Sequence, residues 1–184
     1  MKDNLLGLKT LNYIWTHPNC KHKKIRSILN FLFWQSYKRI THKFWDIKIC
    51  ESIKLRCYPD SQSASAVIYC GLYDYNEMNF LLRYLRKEDS FLDIGANIGV
   101  YTLLAASKIK SGFIYSFEAL PKNYQRLEEN LKLNKLTQVK PYSIAISNST
   151  GNITINITES DSTAFISPDT IDKIADSLQN SVSA

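Results

Sequence analysis

The run Phe91-Leu92-Asp93-Ile94-Gly95-Ala96-Asn97-Ile98-Gly99-Val100-Tyr101-Thr102 opens as a short apolar segment and breaks at Gly95. That is the profile of a strand buried in a parallel sheet. Val100, Leu103, Leu104 and Ala106 then recur near a 3.6-residue period, which predicts a helix directly after Gly99. Gly95 lets the backbone turn tightly and come close to a ligand, and Gly99 lets the helix start flush against the strand. The unpaired N–H groups at such a helix start suit an anionic or electron-rich group.

Working outward, the pattern repeats. Gly112 opens a strand over Phe113–Phe117 that stops at Glu118, and Pro121 suits the first turn of a helix striped by Leu120, Tyr124, Leu127 and Leu131. A third strand is predicted from Val139 to Ile146. Upstream, Met78, Leu81, Leu82 and Leu85 mark a helix that closes on Arg86 and Lys87, cations placed at the negative end of its dipole. Strand, helix, strand, helix, strand at these spacings predicts an α/β fold with a Rossmann-like parallel sheet. Beyond it, Ile153, Ile155 and Ile157 alternate with polar residues behind the turn Asn148-Ser149-Thr150-Gly151, which reads as an antiparallel strand. Thr170 to Leu178 reads as a short polar helix. Residues 57–78, from the turn at Tyr58-Pro59-Asp60-Ser61 through Ala66-Val67-Ile68-Tyr69, are expected to be loop or short β elements.

At 184 residues, with 45% hydrophobic and 22% charged side chains, the chain is too apolar for disorder and too irregular for collagen or coiled coil. Its charge divides it. Residues 1–56 carry 12 Lys and Arg against 3 acids, whereas residues 57–184 carry 11 against 14. A basic, aromatic helical extension over 1–56, with a helix near 23–40, therefore precedes a partial Rossmann-like domain over 57–184. Cys20, Cys50, Cys57 and Cys70 show no Cys-x-x-Cys pairing and read as ordinary thiols with no metal and no nearby His at zinc spacing. Ile25 to Ile40 holds Arg26, Asn30, Gln35, Lys38 and Arg39, too polar for a bilayer span. The expectation is a cytoplasmic protein whose basic arm is at most peripheral to an anionic membrane face.

The glycine loop narrows the ligand. A nicotinamide dinucleotide would call for Gly at 97 and Gly or Ala at 100, where Asn97 and Val100 stand. Asp93-x-Gly95-x-x-x-Gly99 suits a ligand with no pyrophosphate and a cationic amino-acid end, as in S-adenosylmethionine. Glu118, at the tip of the neighbouring strand, can accept both hydroxyls of a ribose. The plainer alternative is a helix-capping loop beside a solvated acid.

Four segments carry a family likeness. Asp93 to Gly99, Phe117-Glu118-Ala119-Leu120-Pro121-Lys122-Asn123, Glu129-Asn130-Leu131-Lys132-Leu133-Asn134 and Ala145-Ile146-Ser147 resemble successive motifs of the FkbM-type S-adenosylmethionine-dependent methyltransferases. The likeness extends upstream to Gly71–Met78 and covers roughly residues 70–172. Ala119 replaces the family's usual Pro, and Asp74 its usual Glu. The resemblance implies methyl transfer to a hydroxyl oxygen of a sugar on a glycan, glycolipid or small metabolite. It places Asp93, Gly95, Asn97 and Gly99 around the methionine part of the cofactor, Glu118 at the ribose and Ala145 near the adenine, with Ala96, Thr102 and Ala119 also counted as cofactor-binding. An alcohol acceptor profits from a base. His17, His22 and His42 all lie in the basic arm, and Asp161 occupies a place where some relatives carry an Asp-Thr motif. The family's fourth-strand motif does not occur, so a sheet incomplete at its C-terminus is expected, from a truncated or split gene product. Two further readings stand beside the enzyme. One is a non-catalytic fragment that binds cofactor or a partner. The other is a nucleic-acid methyltransferase, against which stands the lack of an Asn/Asp-Pro-Pro-aromatic motif.

Overall fold

The computed structural model describes residues 2–50, 52–148, 151, 155–157 and 164–166. The chain forms α1 (Lys2–Thr16), a 3₁₀ turn (Pro18–Cys20), α2 (Lys24–Thr41), β1 (Trp45–Cys50), β2 (Ile53–Cys57), α3 (Gln62–Cys70), α4 (Tyr75–Tyr84), β3 (Phe91–Ile94), α5 (Val100–Lys108), β4 (Ile114–Phe117), α6 (Pro121–Leu133), β5 (Val139–Tyr142), β6 (Ile155–Ile157) and β7 (Ala164–Ile166). Strands β3, β4 and β5 lie side by side in that order and all parallel, with Asp93 opposite Ser116 and Ser116 opposite Pro141. The expected α/β, Rossmann-like parallel sheet is therefore present.

Alternation along these strands sets two faces. Asp93, Ile114, Ser116 and Val139 are buried, and α5 meets this face through Thr102. The opposite face bears Leu92 (59% exposed) and Ile94 (61%), with the Phe117 and Tyr142 rings stacked at 5.2 Å beside them. Among the described residues β3 pairs with β4 alone, so it stands at the sheet's edge. Strand β5 is the other edge, which is where a proline such as Pro141 is tolerated. The predicted third strand is shorter than expected. It ends at Tyr142, and Ile144 and Ile146 are about half exposed beyond it.

One expectation is corrected. Residues 62–70 form a helix where loop or β elements were expected. Ser61 caps it, its Oγ accepting the Ala64 N–H at 3.2 Å, and Gly71 ends it at φ +75° with its N–H donated to the Val67 carbonyl at 2.7 Å. Val67 and Ile68 would favour a strand in isolation, but burial against α2 overrides that preference. Trp34 Nε1 donates to Ser65 Oγ at 2.9 Å, and the Phe31 and Tyr69 rings meet edge-on at 5.2 Å. The antiparallel hairpin β1–β2 also crosses the residue-56 boundary suggested by charge. Ile14, Trp34, Leu55, Met78, Leu103 and Leu127 belong to one hydrophobic cluster, so the basic arm and the sheet share a core. Strand β6, predicted from alternation, pairs antiparallel with β7. The predicted helix over Thr170–Leu178 lies outside the described residues.

Helix α6 closes the outer side of β2. Asn134 Oδ1 accepts the Lys54 N–H and its Nδ2 donates to the Lys54 carbonyl, both at 2.7 Å. Asn130, one turn earlier, accepts the Arg56 N–H at 2.7 Å and donates to the Ile98 carbonyl at 2.9 Å. Two side-chain amides at i and i+4 thus stand in for a neighbouring strand, and one of them also pins the loop between β3 and α5. No helix among the described residues is long and apolar enough to cross a membrane.

Candidate functional site

Because β3, β4 and β5 are parallel, their C-terminal ends share one edge of the sheet, where open α/β sheets take their ligands. Gly95, Glu118 and the residues after Tyr142 all lie on it. The backbone ties them together: Gly95 and Ala96 donate N–H bonds to the Phe117 carbonyl at 2.9 Å each, and Glu118 donates to the Tyr142 carbonyl at 3.0 Å. The loop from Gly95 to Gly99 has positive φ at Gly95 (+79°), Asn97 (+52°) and Gly99 (+91°). The two glycines serve different ends. A Cβ on Gly99 would meet Leu127 Cδ1 at 2.6 Å, so that glycine allows close packing on α6. A Cβ on Gly95 would meet nothing within 4 Å and would project into open space at the sheet edge.

Glu118 and the loop, the two points that sequence reading brings together, are joined directly. Glu118 Oε2 accepts the Asn97 N–H at 2.7 Å, and its Oε1 accepts the Leu120 N–H at 2.8 Å. The carboxylate is buried, not solvated as the plainer alternative required. Each of its oxygens keeps a second acceptor position beyond these bonds.

Asp93 is held differently. Its Oδ2 accepts from Thr102 Oγ1 at 2.5 Å, and Thr102 Oγ1 lies 2.7 Å from Ser116 Oγ, which then donates to it. All three are buried, so Asp93 links β3, α5 and β4 on the helix-covered face of the sheet. Burial pushes the Asp93 carboxyl above the usual range, the Thr102 hydrogen bonds oppose that shift, and the Glu118 charge adds to it. The folded state therefore holds this proton more tightly than the unfolded chain, and its stability contribution falls as pH rises above about 4. Urea midpoints of the parent and of Asp93→Asn, measured from about pH 4 to pH 7, should drift against the parent as pH rises. A constant gap would contradict the raised carboxyl.

Ala96 is buried under the loop, Ala119 is half-buried beside Glu118, and Ala145 is exposed past the end of β5. Asp161 lies outside the described residues. Away from this edge, His17, Cys20 and Cys70 converge, with their ligating atoms all within 4.8 Å. This departs from the reading of the cysteines as unrelated thiols with no histidine at ligand spacing. His17 and Cys20 are three residues apart, and that was the available signal; Cys70 is far off in sequence and could not be joined to them without the fold.

No curated protein matches the chain in sequence. Several solved structures match part of it. An rRNA methylase from Streptococcus thermophilus is 17% identical over 39% of each chain, with a TM-score of 0.36. TYW2 from M. jannaschii, in complex with AdoMet, is 24% identical over 55% of this chain and 43% of its own, with a TM-score of 0.43. Trm5b from Pyrococcus abyssi is 20% identical over 55% of this chain and 28% of its own, also at 0.43. The chain thus spans less than half the length of each. The family model that matches differs from the FkbM type resembled by the sequence motifs, and it takes in both the basic arm from residue 22 and the sheet. With residues 22–183 matching the model described as the Vibrio cholerae RfbT protein, the chain belongs to that family.

Proposed function

We propose that this chain binds S-adenosylmethionine at the C-terminal edge of β3–β5 and is a methyltransferase acting on a sugar hydroxyl. The observation that carries the reading is the open space over Gly95, set beside a loop whose Asn97 N–H is held at 2.7 Å by Glu118. A backbone without a Cβ, positive φ on both glycines and a carboxylate with acceptor capacity to spare fit a nucleoside with an amino-acid tail. The FkbM-type motifs support the acceptor class, a glycan, glycolipid or related metabolite.

When bound, the cofactor supplies a methyl group already activated by its sulfonium. The protein's share is then to hold the donor, align the acceptor oxygen and keep water out. Gly95 leaves room for the donor, Glu118 takes the ribose hydroxyls, and Asn97 and Ala96 line the turn. Asp161 is assigned to the acceptor's proton. The strongly basic arm suits an acceptor carried on an anionic surface.

Titration with S-adenosylhomocysteine tests the donor site. Gly95→Ala should cost only about 1–2 kcal/mol in stability, the strain of a non-glycine residue at this φ. Its affinity for the nucleoside should nevertheless drop about tenfold or more, because the new methyl fills the cradle. Equal affinity in the two proteins would remove the proposal. Transfer of labelled methyl to sugar acceptors, run beside RNA, tests the acceptor. Binding without turnover on either would leave a cofactor-binding chain and no transferase.

A further inference from the structure

Three donors of nitrogen and sulfur meet where the N-terminal helices join α3. His17 precedes the 3₁₀ turn Pro18–Cys20, and that turn folds Cys20 Sγ back to 4.0 Å from His17 Nδ1. Cys70 is the last residue of α3, before the positive-φ Gly71. Asn19 Nδ2 donates to the Cys70 carbonyl at 2.6 Å and so fixes the turn against the end of that helix. All three side chains are buried, and their ligating atoms lie within 4.8 Å of one another.

We propose that His17 Nδ1, Cys20 Sγ and Cys70 Sγ form a zinc site that clamps the N-terminal helices to α3. Imidazole with two thiols is a donor set that zinc accepts, whereas calcium and magnesium prefer oxygen. The geometry is close to what the ion needs. Zinc–sulfur bonds of about 2.3 Å and zinc–nitrogen bonds of about 2.0 Å put tetrahedral ligand atoms roughly 3.5–3.8 Å apart. The Cys20–His17 separation must shorten by about half an ångström, and no other edge by more than about one.

The surrounding groups are arranged as supports of a metal ligand. His17 Nε2–H donates to the Tyr73 carbonyl at 2.8 Å, so the proton sits on Nε2 and Nδ1 presents its lone pair towards the two sulfurs' side of the ring as an acceptor. That lone pair now accepts the Asn19 N–H at 3.2 Å, a long bond that coordination displaces. Ser27 Oγ–H donates to Cys20 Sγ at 3.3 Å, a bond the sulfur can keep while it ligates. Of the three, Cys70 borders a cleft of about 520 Å³ between α2, β1 and α3, the nearest open space to the group. On binding, two zinc–sulfur bonds form, and the two thiol protons leave to solvent. The fourth position is taken by water from the cleft.

The test uses the whole chain, reduced and stripped of metal. Zinc titrated against a chromophoric chelator should load one ion per chain. Cobalt(II) in its place should show tetrahedral visible bands with thiolate-to-metal charge transfer in the near ultraviolet. Losing a ligand costs at least as much as losing its supporting hydrogen bond, so Cys70→Ser should weaken zinc binding by about a hundredfold or more. Cys50→Ser, a half-buried thiol outside the group, should bind like the parent. The site is refuted if the chelator keeps the zinc, if cobalt shows no charge-transfer band, or if Cys70→Ser binds as the parent does. None of these readouts involves methyl transfer or the nucleoside.

Discussion

Gly112→Ala is expected to cost upward of about 3 kcal/mol of folding stability, a large share of what a domain possesses. A Cβ at this position would lie 1.8 Å from the Asp89 carbonyl oxygen, 2.7 Å from the Asp89 carbonyl carbon and 2.8 Å from the Glu88 oxygen. All three are backbone atoms, so no rotamer change relieves the overlap. The segment around Gly112 cannot simply step aside. Lys110, Ser111 and Gly112 all direct their N–H groups at the Lys87 carbonyl, at 2.8, 2.8 and 3.3 Å. Immediately after, Phe91 donates to the Phe113 carbonyl at 3.0 Å where β3 and β4 begin to pair. Shifting residues 87–90 therefore disturbs the start of the sheet. Urea unfolding followed by circular dichroism gives the comparison, and an unchanged midpoint would contradict the close approach.

Glu118→Ala is expected to hurt both folding and binding. It strips the acceptor from the Asn97 and Leu120 N–H groups, and each orphaned donor costs about 1–3 kcal/mol where water cannot replace the bond. A loss on the order of 2–4 kcal/mol should follow. Glu118→Gln keeps one carbonyl oxygen and the side chain's shape, so it should fall between the two in stability. If the carboxylate also clasps the ribose, both variants should weaken S-adenosylhomocysteine by about a hundredfold, since hydrogen bonds to a charged group are worth about 1.5–3 kcal/mol. Calorimetry on Glu118→Gln separates the roles. A variant with near-parental stability and lost affinity marks a ligand contact, while parental affinity marks a purely structural acid.

Much of the sheet is readable from residues alone, because β3, α5, β4 and α6 follow one another with clean periodicity and punctuation by Gly95, Gly99, Gly112 and Pro121. The position of Glu118 is legible for the same reason, as the acid where a strand stops. What the pattern hides is anything settled across the chain. Helix α3 carries Val67, Ile68 and Tyr69, residues with a local taste for strand, and only the packing of Trp34 and Phe31 over it decides the matter. Asp93 stands out by its spacing before Gly95, but its bond to Thr102, and through it to Ser116, joins elements that only the fold brings together. Asn130 and Asn134 look like ordinary polar residues of a helix until β2 is laid beside them.

That last contact restricts how the chain can vary over generations. Adding or deleting one residue between Asn130 and Asn134 would swing the second amide about 100° around the helix axis. It would leave Lys54 without its partner while Arg56 kept its own. Length changes in this family should accordingly collect in the loops that flank α6, and the five positions from 130 to 134 should hold their count even where their neighbours drift.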